Sequence, residues 1–191
     1  MLQQETNIAQ RSNLRFKESL LSIPSFDLRP ETHPVVVSFA VVRHESGDGD
    51  KMIWVQEQNG FNKRAHSAKG TDIGSATLSR VLFDSSKNES QHAVLGVEQP
   101  VQSTMLDPGG ASIALGALLY PSAGSEGFYF NDFVLAELLV YTQALTPEEK
   151  RAVELYLIKK WQLPLRDEFR YSIADPSGMR GDGRVHIELN P

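Results

Sequence analysis

Along most of the chain apolar and polar residues alternate with a period of two, the pattern of strands that turn one face to a core. In Val35–Val42, one face carries Val35, Val37, Phe39 and Val41 and the other Val36, Ser38, Ala40 and Val42. The bulkier set suits a sandwich core, and the smaller set is still apolar enough to call for a cover of its own. Gly47-Asp48-Gly49-Asp50 then supplies a turn and Met52-Ile53-Trp54-Val55 resumes extended text, so the two runs read as a hairpin. Further strands are predicted at Asn13–Phe16, Leu20–Ile23, Thr77–Phe83, His92–Val97, Ser112–Leu119 and Val134–Tyr141. Phe61–Asp72 reads as a surface loop or an edge strand, and residues 121–127 as a Gly and Ser loop. Gly116, alone on its face of the Ser112–Leu119 run, marks a close approach of backbone or loop. Strict alternation places Glu137, the one charge in Val134–Tyr141, beside Leu135, Leu139 and Tyr141.

The period lengthens to that of a helix only after Thr146-Pro147-Glu148-Glu149, which combines an N-cap Thr, a Pro at the first helical position and a Glu at the third. Val153, Tyr156, Leu157 and Trp161 share one face, Arg151, Glu154 and Lys159 lie mostly away from it, and Pro164 ends the run. The expected architecture is an all-β, antiparallel jelly-roll sandwich over residues 13–163 with one C-terminal helix packed on it. Residues 1–12 read as a polar N-terminal arm and 164–191 as a C-terminal arm holding one late strand-like run, Val185–Leu189.

The stretch from Phe133 through Lys150 into Val153–Leu163 resembles the closing segment of the LamG-like, concanavalin A-like jelly rolls. There the last sheet strand carries an acidic residue and a Tyr, and a capped helix follows with a Tyr-Leu, Lys and Trp pattern. Leu14-Arg15-Phe16, Leu21–Pro24, Pro34–Arg43 and Ile113–Gly116 resemble earlier strands of that family. The resemblance implies a sandwich that binds sugars or proteins, as in adhesins, lectin-like modules and virion structural proteins, and it implies no single activity.

The chain has 191 residues, enough for one domain with a sizeable core. Its net charge is −5 and its Lys and Arg are scattered, which leaves no electrostatic footprint for nucleic acid. No apolar run is long enough to span a bilayer and the start lacks the features of a secretory signal, so membrane insertion is not expected and the chain is placed in a virion, or in the cytoplasm before assembly. With zero Cys, disulfides, thiolate metal sites and cysteine nucleophiles are excluded together.

Catalytic carboxylates of a sandwich glycosidase would stand on one strand face, whereas Asp132 lies five residues before Glu137 and so on the opposite face of a regular strand. Glu137 therefore reads as a structural carboxylate bonded to loop amides or to the helix, and the protein as a non-enzyme. The five His show no ligand spacing, so no cofactor is expected. Asp48 and Asp50 read as turn residues, the alternative being a loop calcium shared with Asp107. Arg180-Gly181-Asp182 is read as a chance triplet. Trp54 and Trp161 are expected in the core, and Phe61, Phe128, Tyr129 and Asn131 are the candidate carbohydrate-binding residues, in loops at 61–70 and 121–131 together with 47–50. Two functions follow. One is a structural or adhesive component of a larger assembly, such as a phage decoration, cement or tail-associated protein, with other subunits as partners and a homo-oligomeric or assembly-bound state. The other is a carbohydrate-binding, lectin-like module with a glycan as partner.

Overall fold

The computed structural model describes residues 2–9, 11–17, 21–23, 26–45, 52–58, 61–67, 73–103, 112–122, 125–130, 132–174 and 180–189. In chain order the elements are β1 (Leu2–Ile8), β2 (Arg11–Phe16), β3 (Leu21–Ile23), β4 (Val35–His44), β5 (Met52–Gln58), β6 (Phe61–Ser67), β7 (Ala76–Asp84) and β8 (Glu89–Val94). They continue with β9 (Val97–Glu98), β10 (Gln102–Ser103), β11 (Ser112–Leu115), β12 (Ala117–Ser122), β13 (Ser125–Phe130), β14 (Phe133–Tyr141), α1 (Pro147–Trp161), β15 (Leu165–Ala174) and β16 (Arg180–Leu189). The main sheet has the order β1-β2-β14-β4-β7-β8-β10, with β9 paired to β8, and the second sheet the order β3-β11-β5-β6. Two hairpins, β12–β13 and β15–β16, form two-stranded sheets of their own. Every pair of named strands among the described residues is antiparallel, so the fold is an all-β sandwich with one C-terminal helix.

Both faces of the main sheet are covered. Val36, Ala40, Val42, Val81 and Phe83 pack against Ile53, Trp54, Ile113 and Leu115 of the second sheet. Val37, Phe39, Val41, Leu78 and Val134 pack against Leu157, Ile158 and Trp161 of α1. The alternation in β4 is therefore as expected but the assignment is reversed. Its small face fills the gap between sheets, where the indole of Trp54 takes up the space, and its bulky face meets the helix, which is the predicted second cover. Each fully buried apolar side chain on that helix contributes about 1.5–3 kcal/mol.

The expected hairpin of β4 with β5 does not form. β4 pairs with β14 and β7 in one sheet while β5 pairs with β11 and β6 in the other. Of the two readings of the Phe61 run, the edge strand is the one observed, as β6 ends the second sheet. The Ser112–Leu119 strand is broken at Gly116, whose φ of +87° suits Gly and whose N–H donates to the Ile53 carbonyl at 3.2 Å. The expected loop at 121–127 is largely strand, because β12 and β13 pair from Ala117↔Phe130 to Ser122↔Ser125. Residues 2–8, read as part of an arm, pair with β2 at the edge of the main sheet.

The helix begins as predicted. Glu149 N–H donates to Thr146 Oγ1 at 3.2 Å and Thr146 N–H donates to Glu149 Oε2 at 2.8 Å, closing a capping box. It ends at Gln162, whose φ of 51° is left-handed. Its buried face is rotated from the expected one: Tyr156 is 53% exposed, while Glu154 is buried.

Pairing of β14 with β4 shifts between Leu135↔Val42 and Glu137↔Val41, a β-bulge with Ala136 as the extra residue. The bulge turns the strand over. Leu135 faces the second sheet with Leu138 and Val140, whereas Ala136, Leu139 and Tyr141 belong to the helix side. Glu137, opposite Val41, stands on the helix side too, so it does not share a face with Leu135.

Candidate functional site

Glu137 is held by the helix, as its sequence context implied. Lys160 Nζ donates to Glu137 Oε1 at 2.9 Å and Trp161 Nε1 donates to Oε2 at 2.6 Å. The carboxylate raises the Lys160 pKa, with a Tyr156 hydrogen bond adding to the effect, and the ammonium also lies 5.3 Å from the Tyr156 ring centroid. Arg11 stacks over Trp161 at 5.7 Å. Asp132, the other candidate acid, is bonded by Arg15 Nε and Nη2, each at 3.2 Å. Since the bulge breaks alternation, the opposite-face argument for a regular strand does not apply to these two residues. They are instead separated by their partners, and each carboxylate is already engaged by a cation.

β2 pairs with β14 only from Phe16↔Phe133 to Leu14↔Leu135. Where the bulge parts the two strands, a cleft of about 250 Å³ opens, lined by Ser12, Asn13, Leu14, Leu135, Ala136, Glu137 and Leu138. Asn13 is 3% exposed, and its amide donates to the Arg11 carbonyl at 2.7 Å while Oδ1 has no partner among the described residues.

Two buried polar groups escaped the sequence reading. In the first, Arg80 of β7, 3% exposed, donates through Nε to Glu154 Oε1 at 2.9 Å and through Nη2 to Glu98 Oε1 at 2.8 Å. The Arg80 bond lowers the Glu98 pKa more than any other influence. The turn beside this pair explains its room: Leu95 and Gly96 have φ of 48° and 82°, and a Cβ on Gly96 would stand 3.1 Å from Arg151 Nη1. A lone Arg inside the apolar run Leu78–Phe83 was the available signal.

The second group spans the two sheets. Trp54 Nε1 donates to Ser38 Oγ at 2.8 Å, Ser38 Oγ lies 3.0 Å from His66 Nδ1, and His66 Nε2 lies 2.9 Å from Ser79 Oγ. A neutral imidazole completes the chain in either tautomer, since each serine hydroxyl can donate to one ring nitrogen or accept from it. Burial, and secondarily the charge of His92, pushes the His66 pKa down to about 3. A Ser and a His at this spacing suggest a nucleophile and base, but all four side chains are at most 1% exposed, which denies a substrate access.

Of the candidate sugar-binding residues, Phe61 begins β6, and Phe128 and Tyr129 lie in β13 opposite Leu119 and Leu118. β12 runs against both β5 and β6, so the backbone brings these two regions to one end of the second sheet. Asn131, residues 47–50 and Asp107 lie outside the described residues. Among the described residues no group of three or more His, Asp or Glu is placed to hold a metal, and no helix is long and apolar enough to cross a membrane. Trp54 and Trp161 are both buried, as expected. Arg180-Gly181-Asp182 lies on extended backbone in β16.

No family model and no curated protein sequence matches the chain. Its backbone is similar to that of the botulinum neurotoxin serotype D binding domain, with a TM-score of 0.56, 9% identity, and coverage of 100% of this chain and 57% of that one. It is also similar to botulinum neurotoxin type C, a toxin whose cell entry is dependent upon interaction with two ganglioside molecules, with a TM-score of 0.56, 9% identity, and coverage of 91% and 50%. A K499G mutant of NanB sialidase from Streptococcus pneumoniae gives a TM-score of 0.51, 12% identity, and coverage of 86% and 29%. The chain thus spans less than two thirds of each of these proteins, and the likeness at such identities is one of fold.

Proposed function

We propose that this chain is a non-enzymatic interaction module that serves as a structural or adhesive component of a larger assembly, of the kind represented by a phage decoration, cement or tail-associated protein. The observation that carries this reading is the β15–β16 hairpin, ten residues in each strand and a two-stranded sheet by itself. Such a ladder is marginal alone in water and gains its stability by lying on something else. Engagement of Asp132 and Glu137 by cations supports the non-enzymatic part. Trimming residues 166–191 is expected to lower Tm by about 3 °C or less, the shift that roughly 1 kcal/mol gives a chain of this size, while abolishing oligomerisation or incorporation. Calorimetry and sizing of the trimmed protein make the check, and full incorporation would count against the role.

A carbohydrate-binding module is the second reading. It is favoured by the approach of β12 to β6, which brings the strands of Phe61, Phe128 and Tyr129 together, and by the fold shared with a ganglioside-dependent toxin. Tyr129→Ala should then abolish binding on a multivalent glycan array at unchanged Tm. Retained sugar binding in the folded variant would remove Tyr129 from the site.

A further inference from the structure

Most charged side chains of α1 are engaged within the chain. Glu149 closes the capping box, Lys150 faces Glu98, Arg151 faces Glu154, Glu154 bonds Arg80 and Lys160 bonds Glu137. Glu148 and Lys159 differ: both are exposed, and neither has an ion-pair partner among the described residues. Spacings of four, three and four residues put Glu148, Ala152, Leu155 and Lys159 on one line within about 60° of arc, running roughly 16 Å up the helix. The line lies away from the face on which Leu157, Ile158 and Trp161 meet the main sheet. Ala152 is exposed, Leu155 is 43% exposed, and Tyr156, 53% exposed, flanks the line on the side of Ala152. An acid near the helix start and a base near its end suit the helix dipole, but the dipole calls for no apolar side chains between them.

We propose that this face of α1 is a homotypic contact, in which two copies of the chain pair their helices antiparallel across a twofold axis. The inference rests on reading the chain as an assembly component and names the chain itself as a first partner. The axis passes beside the helix, level with the bond between Val153 and Glu154. Glu148 and Lys159 are equidistant from that level, as are Ala152 and Leu155. Glu148 of one copy therefore meets Lys159 of the other at both ends of the contact, and Leu155 of one meets Ala152 of the other, bulk against space. Tyr156 of each copy lies over Ala152 of the other. The two charges that the single chain leaves unpaired thus gain partners, and the helix dipoles run in opposition. These five side chains offer roughly 400 Å² per copy, about half of a standard half-interface. Such a contact is weak between free chains and holds where many copies are brought close, as in an assembly.

Sedimentation velocity of the full chain should show reversible dimers at concentrations on the order of 0.1–1 mM. Glu148→Lys and Lys159→Glu each set like charges opposite one another at both ends of the contact and should weaken it at least tenfold. An equimolar mixture of the two variants should restore dimers, because one chain then carries two cations on this face and the other two anions. A small loss of stability from the altered dipole cannot produce that restoration. Leu155→Gln keeps the helix propensity and should abolish self-association with Tm within about 2 °C of wild type. Wild-type chain that stays monomeric throughout this range, single variants that dimerise as the wild type does, or a mixture no more dimeric than its components overturns the contact. If trimming residues 166–191 still abolishes incorporation in that case, the assembly role stands with a different partner. If the charge-swapped mixture dimerises but the trimmed chain incorporates fully, the role fails and the contact stands.

Discussion

Glu154→Leu is expected to destabilise the fold by about 3 kcal/mol, measured as the change in unfolding free energy in urea. Arg80 cannot shed its proton, and it stands 3% exposed inside the helix-facing layer with Glu154 as its one buried counter-ion. Its remaining partner, Glu98, is half exposed and faces Lys150 at 3.7 Å as well. The penalty is therefore that of a guanidinium kept from water with too little opposing charge, rather than the worth of one hydrogen bond. The double variant Arg80→Met, Glu154→Leu should recover most of the loss, because it removes both charges and leaves apolar volume in a layer already apolar. A cost below about 1 kcal/mol for the single variant would mean that water or a rotated Arg80 relieves the charge.

Acid should weaken the sandwich well above the carboxylate range. His66 has a folded pKa of about 3 against an ordinary value of 6.5, so the native state refuses a proton that the unfolded chain accepts. Stability is at its full value above pH 6.5 and falls as pH drops through that point, by about 1.4 kcal/mol per unit and on the order of 4 kcal/mol by pH 3. Asp27, Asp84 and Glu98, whose pKa values are lowered, lose stabilisation only below their ordinary 3.8 to 4.5, which leaves pH 6.5 to 4.5 as the window of the histidine. Their causes differ: Arg29 bonds Asp27, Lys87 bonds Asp84 and Arg80 bonds Glu98. His66→Gln keeps a donor and an acceptor between Ser38 and Ser79 but cannot titrate. Its stability, followed by urea unfolding at several pH values, should be nearly flat across that window, and an unaltered wild-type slope in the variant would show that another group is responsible.

Local chemistry was legible in the sequence and distant pairing was not. The start of α1 could be placed because Thr146, Pro147 and Glu149 act on backbone groups within one turn. Glu137 announced a partner by being charged in an apolar strand, and the helix supplied two. The two sides of β4 were mistaken for each other because both are apolar and both are covered, a case in which alternation gives no direction. Arg80 and Glu154 lie 74 residues apart, and Ser38 and His66 lie 28 apart, so nothing local to either member identifies the other. Of the predicted sugar-binding text, Phe128 and Tyr129 were placed in a loop but lie in β13, paired with β12, whereas Phe61 lies in β6, the edge strand that was one of the two readings of its run.

The bulge at Ala136 makes this residue the place where β14 can change length. Val42 faces Leu135 and Val41 faces Glu137, so Ala136 has no opposite number on β4. A chain lacking Ala136 would keep Phe133 and Leu135 toward the second sheet and Glu137, Leu139 and Tyr141 toward the helix, with regular pairing throughout. In a regular strand, with no extra residue to absorb the change, such a loss would invert every side chain on one side of the gap. The main sheet thus holds, at Ala136, a position whose loss leaves the core in place.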